Sequence, residues 1–356
     1  EKEDDAFTHT LIEMFMVEAN EVVARLFEKL HVPLLRRVHP EPVPGNVEDM
    51  RRTAMVAGIK IPKDPTREEL QNLLDGTRGT PVARAVQFSF YRWKGFGPLA
   101  DFVGLRNYVT VLQDDVFVGA FTHNMVVIVL SILVQLPLGL AIALLLNRKM
   151  RGQGLLRTVI FVPYVLSEVI AGVVWFQLLQ PQYGVVEGIL GAVGIAGPEQ
   201  GWLGTPDIAL YTVFGVLTWK YLGLAVLLFL AGLQGVPEEL VEAAEMDGAS
   251  WWQVQRRITV PLLGPTVRTW AFLSMIGSIQ LFDMVWILTG GGPANATTTM
   301  ATYLINEGTK RYNYGIATAA SVILFAVALV FALLYQFFVL RRDVAEADAG
   351  ARRGVR

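Results

Sequence analysis

The sequence predicts an all-α fold: a polytopic membrane helical bundle of five spans, preceded by a small, mainly helical soluble fragment. The first observation is composition. Residues 1–87 contain 12 Lys or Arg and 15 Asp or Glu, whereas the longer remainder of the chain contains only 18 and 17. The second is that this sparsely charged remainder holds five apolar runs of the length that a bilayer requires, about 20 residues in a helix. A single compact soluble domain is therefore excluded.

The five predicted spans carry few polar side chains. Because backbone groups in lipid must find their hydrogen-bond partners within the segment, we expect each span to be helical. Three of the spans contain one charged residue each, namely Glu168, Lys220 and Asp283. The predicted spans are about 125–146, 158–179, 208–233, 269–289 and 315–340.

The distribution of positive charge predicts the orientation of these spans. The loops at 147–157 and 234–268 and the segment after residue 340 together hold 12 Lys or Arg. Alternation of the spans places all three on one side, and the segments on the opposite side hold five. Because loops rich in Lys and Arg stay in the cytoplasm, we expect a cytoplasmic C-terminus, with residues 343–356 as a cytoplasmic tail.

Other features of the composition exclude several classes of function. A net charge of −2 provides no basic field for nucleic acid, so no nucleic-acid partner is expected. The chain has no cysteine and its four histidines lack the spacing of metal ligands, so we predict no metal site. No nucleophile, base or paired carboxylate stands out, so we predict no catalytic residue and no enzyme activity. The acidic N-terminal residues also argue against a signal peptide.

The cytoplasmic loop at 234–265 has the pattern of two short helices joined by a glycine. Pro237 can occupy the first turn of a helix, and the two glutamates that follow it suit the positive end of the helix dipole. Gly248 permits a sharp turn of the backbone. A second helix is predicted from Trp251 to Ile258, ending before Pro261. Such a loop would form a rigid protrusion that suits docking in the groove of a partner.

The same loop resembles the EAA loop of ABC importer permeases, with Val260 in place of the family's leucine. The resemblance covers about residues 88–342 and is to carbohydrate-type permeases of the maltose, glycerol-phosphate and trehalose importer group, which implies a type I importer fold. The loop residues that match the family pattern are Glu242, Ala243, Ala244, Gly248, Ile258 and Pro261. Three further matching runs are Phe161-Val162-Pro163-Tyr164, Ala231-Gly232-Leu233-Gln234 and Val285-Trp286-Ile287-Leu288-Thr289-Gly290-Gly291-Gly292-Pro293.

This resemblance implies a multi-pass permease subunit in the bacterial plasma (inner) membrane. The loop at 234–265, named the coupling loop from here on, would fit a cytoplasmic ABC ATPase dimer, and closure of that dimer would switch the permease between inward-facing and outward-facing states. ATP and Mg would bind to that partner, and this chain itself would bind no cofactor. The other implied partners are a second permease subunit, an extracytoplasmic solute-binding protein, the lipid bilayer and a sugar or sugar derivative. The residues assigned to coupling are Glu242, Ala243, Ala244, Asp247, Gly248, Ile258 and Pro261.

The charged residues within the spans leave two interpretations open. An ionisable side chain in a span costs on the order of 3 kcal/mol against lipid and usually faces the bundle interior. In one interpretation these residues line a sugar path, with tryptophan rings stacking on the sugar. In the other they form structural ion pairs or reach the membrane interface. The candidates for the path are Glu168, Lys220, Asp283, Trp175, Trp219 and Trp286.

Residues 1–87 differ in character from the rest. Apolar residues at helical spacing predict an amphipathic helix over 9–30, and a second short helix is predicted over 66–74. The run HTLIEMFMVEANEVVARLFEKLHVPLLRRVHPEPVPGN, and the sequence onward to about Gln87, resemble part of the catalytic domain of ribonuclease II/R exoribonucleases. In that family the metal-binding aspartates lie upstream of this helix, and no such cluster is present here, so the fragment is not expected to be a nuclease.

The two resemblances conflict in topology. Permeases of the resembled group have six spans, and here the ribonuclease-like sequence takes the place of the first. We therefore predict a junction near Gln87 between a 1–87 fragment and an 88–342 transmembrane domain; the fusion is either real or an artefact that joins two sequences. The predicted function is that of a sugar importer permease. The alternatives are a non-functional chimera and an RNA-processing fragment joined to a membrane segment.

Overall fold

The computed structural model describes residues 80–95, 98–148 and 152–340. No residue of this part lies in a strand, and an isolated bridge joins Tyr91 and Phe102. The predicted helices at 9–30 and 66–74 and the predicted tail at 343–356 lie outside the described residues. The α-helices are Thr80–Ser89, Arg106–Gln113, Asp115–Leu130, Leu136–Leu146, Gln153–Val165, Glu168–Leu178, Val185–Ala192, Pro206–Leu233, Glu238–Met246, Trp251–Val254, Val260–Leu262, Gly264–Ile279, Asp283–Leu288, Met300–Ile305 and Tyr314–Tyr335. The π-helical segments are Ser131–Gln135, Gln255–Thr259, Asn306–Lys310 and Gln336–Leu340.

Three helices in the described part are long and apolar enough to cross a membrane. They are Asp115–Leu146 (the first long helix), Pro206–Leu233 (the central helix) and Tyr314–Tyr335 (the last long helix). They confirm that three of the predicted spans, the first, third and fifth, are helical. The first long helix begins earlier than predicted because the Asp114 carboxylate caps it, accepting a hydrogen bond from Val116 N at 2.8 Å.

The second and fourth predicted spans are not continuous helices, which corrects the prediction. The segment 158–179 falls on two half-helices, Gln153–Val165 and Glu168–Leu178, which are bent by 102° and make a fourth span only if they are counted together. The segment 269–289 is divided between Gly264–Ile279 and Asp283–Leu288. Neither of these two helices is long enough to cross a membrane by itself. The described residues therefore do not establish five spans.

The described residues fall into two compact units: those up to residue 109 together with 305–322, and those of 110–304 together with the ones from residue 323 onward. Within the second unit the core surrounds the central helix, where Val213, Val226 and Phe229 are fully buried. The buried residues of the first long helix recur mostly at spacings of three and four. One face of this helix is therefore buried. The buried residues are Phe117, Ala120, Asn124, Val127, Ile128, Ser131, Gln135, Gly139, Ala143 and Leu146.

The described part of the first unit is held together by contacts to backbone carbonyls. The amide of the buried Asn107 donates to Ser89 O at 2.8 Å and to Tyr91 O at 2.9 Å. Gly315 N donates to Trp93 O at 3.1 Å, and a side chain at Gly315 would collide with Tyr91 O. The absence of a side chain thus allows the start of the last long helix to pack directly on the 89–93 backbone.

Candidate functional site

The first half of the coupling loop forms the predicted helix and turn. Pro237 lies in extended backbone just before the helix Glu238–Met246 rather than within its first turn. After this helix, Gly248 adopts φ +80°, a left-handed conformation that glycine takes without steric cost. The turn is closed by hydrogen bonds from Gly248 N to Glu245 O and from Ala249 N to Ala244 O, both 3.0 Å. The turn at Gly248 is therefore confirmed.

The second half of the loop differs from the prediction. It starts at a capping box in which Ser250 N donates to the Gln253 side chain at 2.7 Å. The chain then passes through Trp251–Val254, a π-helical segment and Val260–Leu262, so helical structure does not end before Pro261. Pro261 lies in the first turn of its α-helical segment, where a missing N–H costs little, and this position accounts for the continuation.

Most of the predicted coupling residues are accessible on the loop. Glu242, Ala243, Asp247, Gly248 and Pro261 are exposed, whereas Ala244 and Ile258 are half-buried. No atom of the described part lies within 4 Å of a Cβ built on Gly248. A side chain at this position would therefore extend into open space rather than into the rest of the described chain.

Four large apolar side chains are exposed on the same loop, and Met246 and Trp252 are the most exposed of them. Met246 is 88% exposed and Trp252 is 66% exposed. Large apolar side chains that are exposed in a patch are typical of a binding surface. The apolar pattern of the first helix already included Met246, but sequence reasoning missed Trp252, because adjacent tryptophans in a membrane protein are equally consistent with buried or interfacial positions.

Residues at the base of the coupling loop pack against other parts of the second unit. The guanidinium of Arg148 lies 4.5 Å from the ring centroid of Trp251. Val254 and Leu263 are almost completely buried. The coupling loop thus has an exposed tip, formed by Met246 and Trp252, and a base that is fixed by the contact of Arg148 and by the buried Val254 and Leu263.

Inside the bundle, consecutive residues of the central helix contact the two sides of the bend at 166–167. The ammonium of Lys220 donates to Leu166 O at 2.6 Å, and Lys220 is only 3% exposed. The hydroxyl of the next residue, Tyr221, donates to the Glu168 carboxylate. Asp283 and Lys220 both interact electrostatically with Glu168. The three charged residues predicted for the path are therefore brought together, although they come from three separate segments.

The predicted tryptophans occupy two places. Trp175 and Trp219 meet edge to face with ring centroids 5.4 Å apart. Trp175 Nε1 is buried and has no hydrogen-bond partner among the described residues. Trp286 stacks on Phe282 at 5.4 Å. Trp175 and Trp219 both pack against the apolar core around the central helix, and Trp219 directly precedes Lys220.

Sequence reasoning missed the buried Asn124 of the first long helix. Its amide donates to Ser278 O at 2.6 Å and to Ile279 O at 3.3 Å, and its carbonyl accepts from Met300 N at 3.0 Å. Asn124 therefore provides hydrogen-bond partners for backbone groups at the end of Gly264–Ile279 and at the start of Met300–Ile305. A signal was present, because Asn124, Ser131 and Gln135 share one helical face once the helix is extended toward residue 115.

Comparison with known proteins identifies the family. The model of the binding-protein-dependent transport system inner membrane component matches residues 135–344. This chain belongs to that family. A probable ABC transporter permease protein of Pyrococcus horikoshii is 34% identical over 254 residues, which are 71% of this chain and 87% of the relative. The trehalose/maltose transport system permease protein MalF of Thermococcus litoralis is 35% identical over 258 residues, 72% of this chain and 85% of that protein.

Solved structures agree in fold. A chain of a bacterial ABC transporter involved in the import of the acidic polysaccharide alginate matches with a TM-score of 0.66 and 22% identity, over 83% of this chain and 99% of that chain. The resemblance to carbohydrate-type permeases is thus confirmed, and the chain is an inner-membrane transport permease subunit, which is not itself an enzyme. A second family model, described as the RNB domain, matches residues 1–95 and confirms the resemblance of the N-terminal fragment to ribonucleases.

Proposed function

We propose that this chain is a permease subunit of an ATP-driven, binding-protein-dependent sugar importer, coupled to its ATPase through the coupling loop. The observation that carries the proposal is the construction of this loop, in which a glycine turn and an apolar tip are fixed to the membrane bundle. The names of the relatives support sugar as the cargo, since they include a trehalose/maltose permease and a diacetylchitobiose uptake permease.

In this proposal the loop acts as a rigid lever. Met246 and Trp252 seat in a cleft of a cytoplasmic ABC ATPase dimer, which holds ATP and Mg. When the dimer closes, the displaced loop moves the bundle through the contact between Arg148 and Trp251 and through the buried Val254. Rigid-body rocking of the bundle around a central site then alternates the access of the sugar.

The remaining parts of the importer follow from the same proposal. The C-terminus and the coupling loop lie in the cytoplasm, five spans cross the membrane, and a second permease subunit completes the path. An extracytoplasmic solute-binding protein delivers the sugar. Residues 1–87 take no part in transport.

The sugar path is assigned to the charged cluster and its tryptophans. Glu168 is half-buried at the surface of the described bundle, and an ionised carboxylate is costly against lipid, so this surface faces an aqueous path. Carboxylates accept hydrogen bonds from sugar hydroxyls, and the partly buried rings of Trp175 and Trp219 offer apolar contact. The residues proposed for the path are Glu168, Lys220, Asp283, Trp175, Trp219 and Trp286.

Gly248→Asp tests the coupling, with Gly248→Asn as its matched control. Aspartate and asparagine have nearly the same shape and both tolerate a left-handed backbone, so the two variants differ chiefly in charge. We expect Gly248→Asp to lose at least about tenfold in ATP-dependent sugar uptake by the complete importer in proteoliposomes, because a desolvated charge at an interface costs more than the roughly 1.4 kcal/mol that tenfold represents. The Asn variant should retain more uptake. Wild-type uptake by the Asp variant at matched membrane abundance would contradict the proposal.

A further inference from the structure

The bend between the two half-helices leaves backbone groups that need partners. Leu166 and Ser167 are extended, with ψ of 144° and 151°, so the last carbonyls of Gln153–Val165 cannot bond to a following turn. On the other side, the Ser167 hydroxyl accepts from Ile170 N at 3.2 Å and caps the second half-helix. The second half-helix is thus capped locally, whereas the first depends on a side chain from elsewhere.

Lys220 supplies that partner from the central helix. Its ammonium reaches Leu166 O at 2.6 Å and lies 5.6 Å from the ring centroid of Tyr221. The C-terminal end of a helix carries partial negative charge, so a cation is favoured there. A buried ammonium without such a partner would be strongly unfavourable, and this site therefore satisfies both the cation and the carbonyl.

The central helix is shaped to bring Lys220 to this position. Gly223 lies one turn further on the same face, and a Cβ at Gly223 would stand 2.5 Å from Ile160 O and 3.2 Å from the Cα of Phe161. Glycine therefore allows the two helices to approach backbone to backbone. The consequence is that Lys220 and Tyr221 contact both sides of the bend, the first through Leu166 O and the second through Glu168.

We propose that Lys220 is a positioning residue: its bond to Leu166 O sets the angle between the two half-helices and thereby fixes where Glu168 is presented in the sugar path. The proposal rests on the proposed function for the role of Glu168, but the geometric part does not depend on the identity of the sugar. It differs from the interpretation in which Lys220 is only the ion partner of a carboxylate, because the bonded group is a backbone carbonyl.

The test measures the bend by spin-label distances. The natural chain has no cysteine, so Leu156→Cys and Val173→Cys place nitroxide labels on exposed positions of the two half-helices. The full chain carrying Lys220→Met should give a distance distribution roughly twofold wider or shifted, because Leu166 O loses its cationic partner while Pro163 and the contact between Tyr221 and Glu168 alone hold the bend. Lys220→Arg, which keeps a cationic donor, should restore the narrow distribution.

Two further variants separate the possible explanations. Gln135→Leu removes another buried contact to the central helix, the 3.1 Å bond to the Thr218 hydroxyl, and should leave the distance unchanged. Lys220→Met combined with Glu168→Gln should stay as wide as Lys220→Met alone. If Lys220→Met fails to accumulate, Lys220→Leu, which likewise has no donor, takes its place.

An unchanged distance in the Met or Leu variant overturns the proposal, and so does recovery in the double variant, which would make Lys220 an ion partner only. Failure of the proposed function is distinguishable, because it would show as an importer without sugar uptake and would leave these distances unaffected.

Discussion

The two interrupted membrane segments are held in different ways. At the bend between Gln153–Val165 and Glu168–Leu178, a charged side chain, Lys220, donates to one carbonyl, and the neighbouring Glu168 remains half-buried at the surface. At the break between Gly264–Ile279 and Asp283–Leu288, the fully buried and neutral Asn124 bonds three backbone groups in two segments. Thr299 adds a bond of 2.7 Å to Leu281 O.

The difference indicates that the break near residue 280 is a fixed joint, whereas the bend at 166–167 is an adjustable joint whose angle can change. The break near residue 280 has every named carbonyl satisfied by a buried neutral donor, so no rearrangement there avoids leaving a buried group unpaired. The bend at 166–167 is contacted by Lys220 on Leu166 O and by Tyr221 on Glu168, beside a polar surface. We therefore expect binding and movement to concentrate at the bend, and the break near residue 280 to act as its support.

Asn124→Ala should have the largest effect on stability. It removes the partner of Met300 N and Ile279 O and one of the bonds to Ser278 O, which keeps a backbone donor, and an unsatisfied buried group costs about 1–3 kcal/mol. We expect a loss of about 3 kcal/mol, measured as a lowered midpoint of thermal unfolding in detergent. Thr122→Ala, at an exposed position two residues earlier, is the control. Equal midpoints for the two variants would remove the distinction between a fixed and an adjustable joint.

Gly223→Ala should have a smaller effect, confined to the bend. The new Cβ would stand 2.5 Å from Ile160 O, so the helices must separate at a cost of about 1–3 kcal/mol. Gly215→Ala is matched to it, because it lies in the same helix with no atom of the described part within 4 Å of its Cβ. We expect only Gly223→Ala to widen the label distance between residues 156 and 173. The account of the bend fails if Gly215→Ala widens it equally.

The long helices could be predicted from the sequence because their apolar runs are local features. The interruptions could be predicted only in part. Pro163 is a local signal for a break within the run 158–179. The run nevertheless has the length and hydropathy of a span, and its bend also involves Lys220, which lies some fifty residues away in the chain. Likewise, the break near residue 280 depends on Asn124 and Thr299. Tertiary contacts of this kind leave no periodic signal in the segment that they reshape.

The candidate site shows the same division. Gly248 and the motif around it could be predicted because a glycine turn at fixed spacing is encoded within a few residues. The grouping of Glu168, Lys220 and Asp283 could be suspected from their rarity in apolar runs, but the role of Lys220 on a carbonyl could not. Trp252 was missed because sequence does not distinguish an exposed tryptophan from a buried one.

The most direct test of the central claim, that the coupling loop docks on the ATPase, is the labelling of a single thiol. Met246→Cys introduces the only cysteine of the chain at an exposed position of the loop tip. Reaction with a water-soluble maleimide should slow severalfold when the ATPase subunits are present, because the tip is then buried in their cleft. Ile189→Cys, 62% exposed in the segment expected on the opposite side, should react at the same rate with and without them. A Met246→Cys rate that the ATPase does not change would contradict the account.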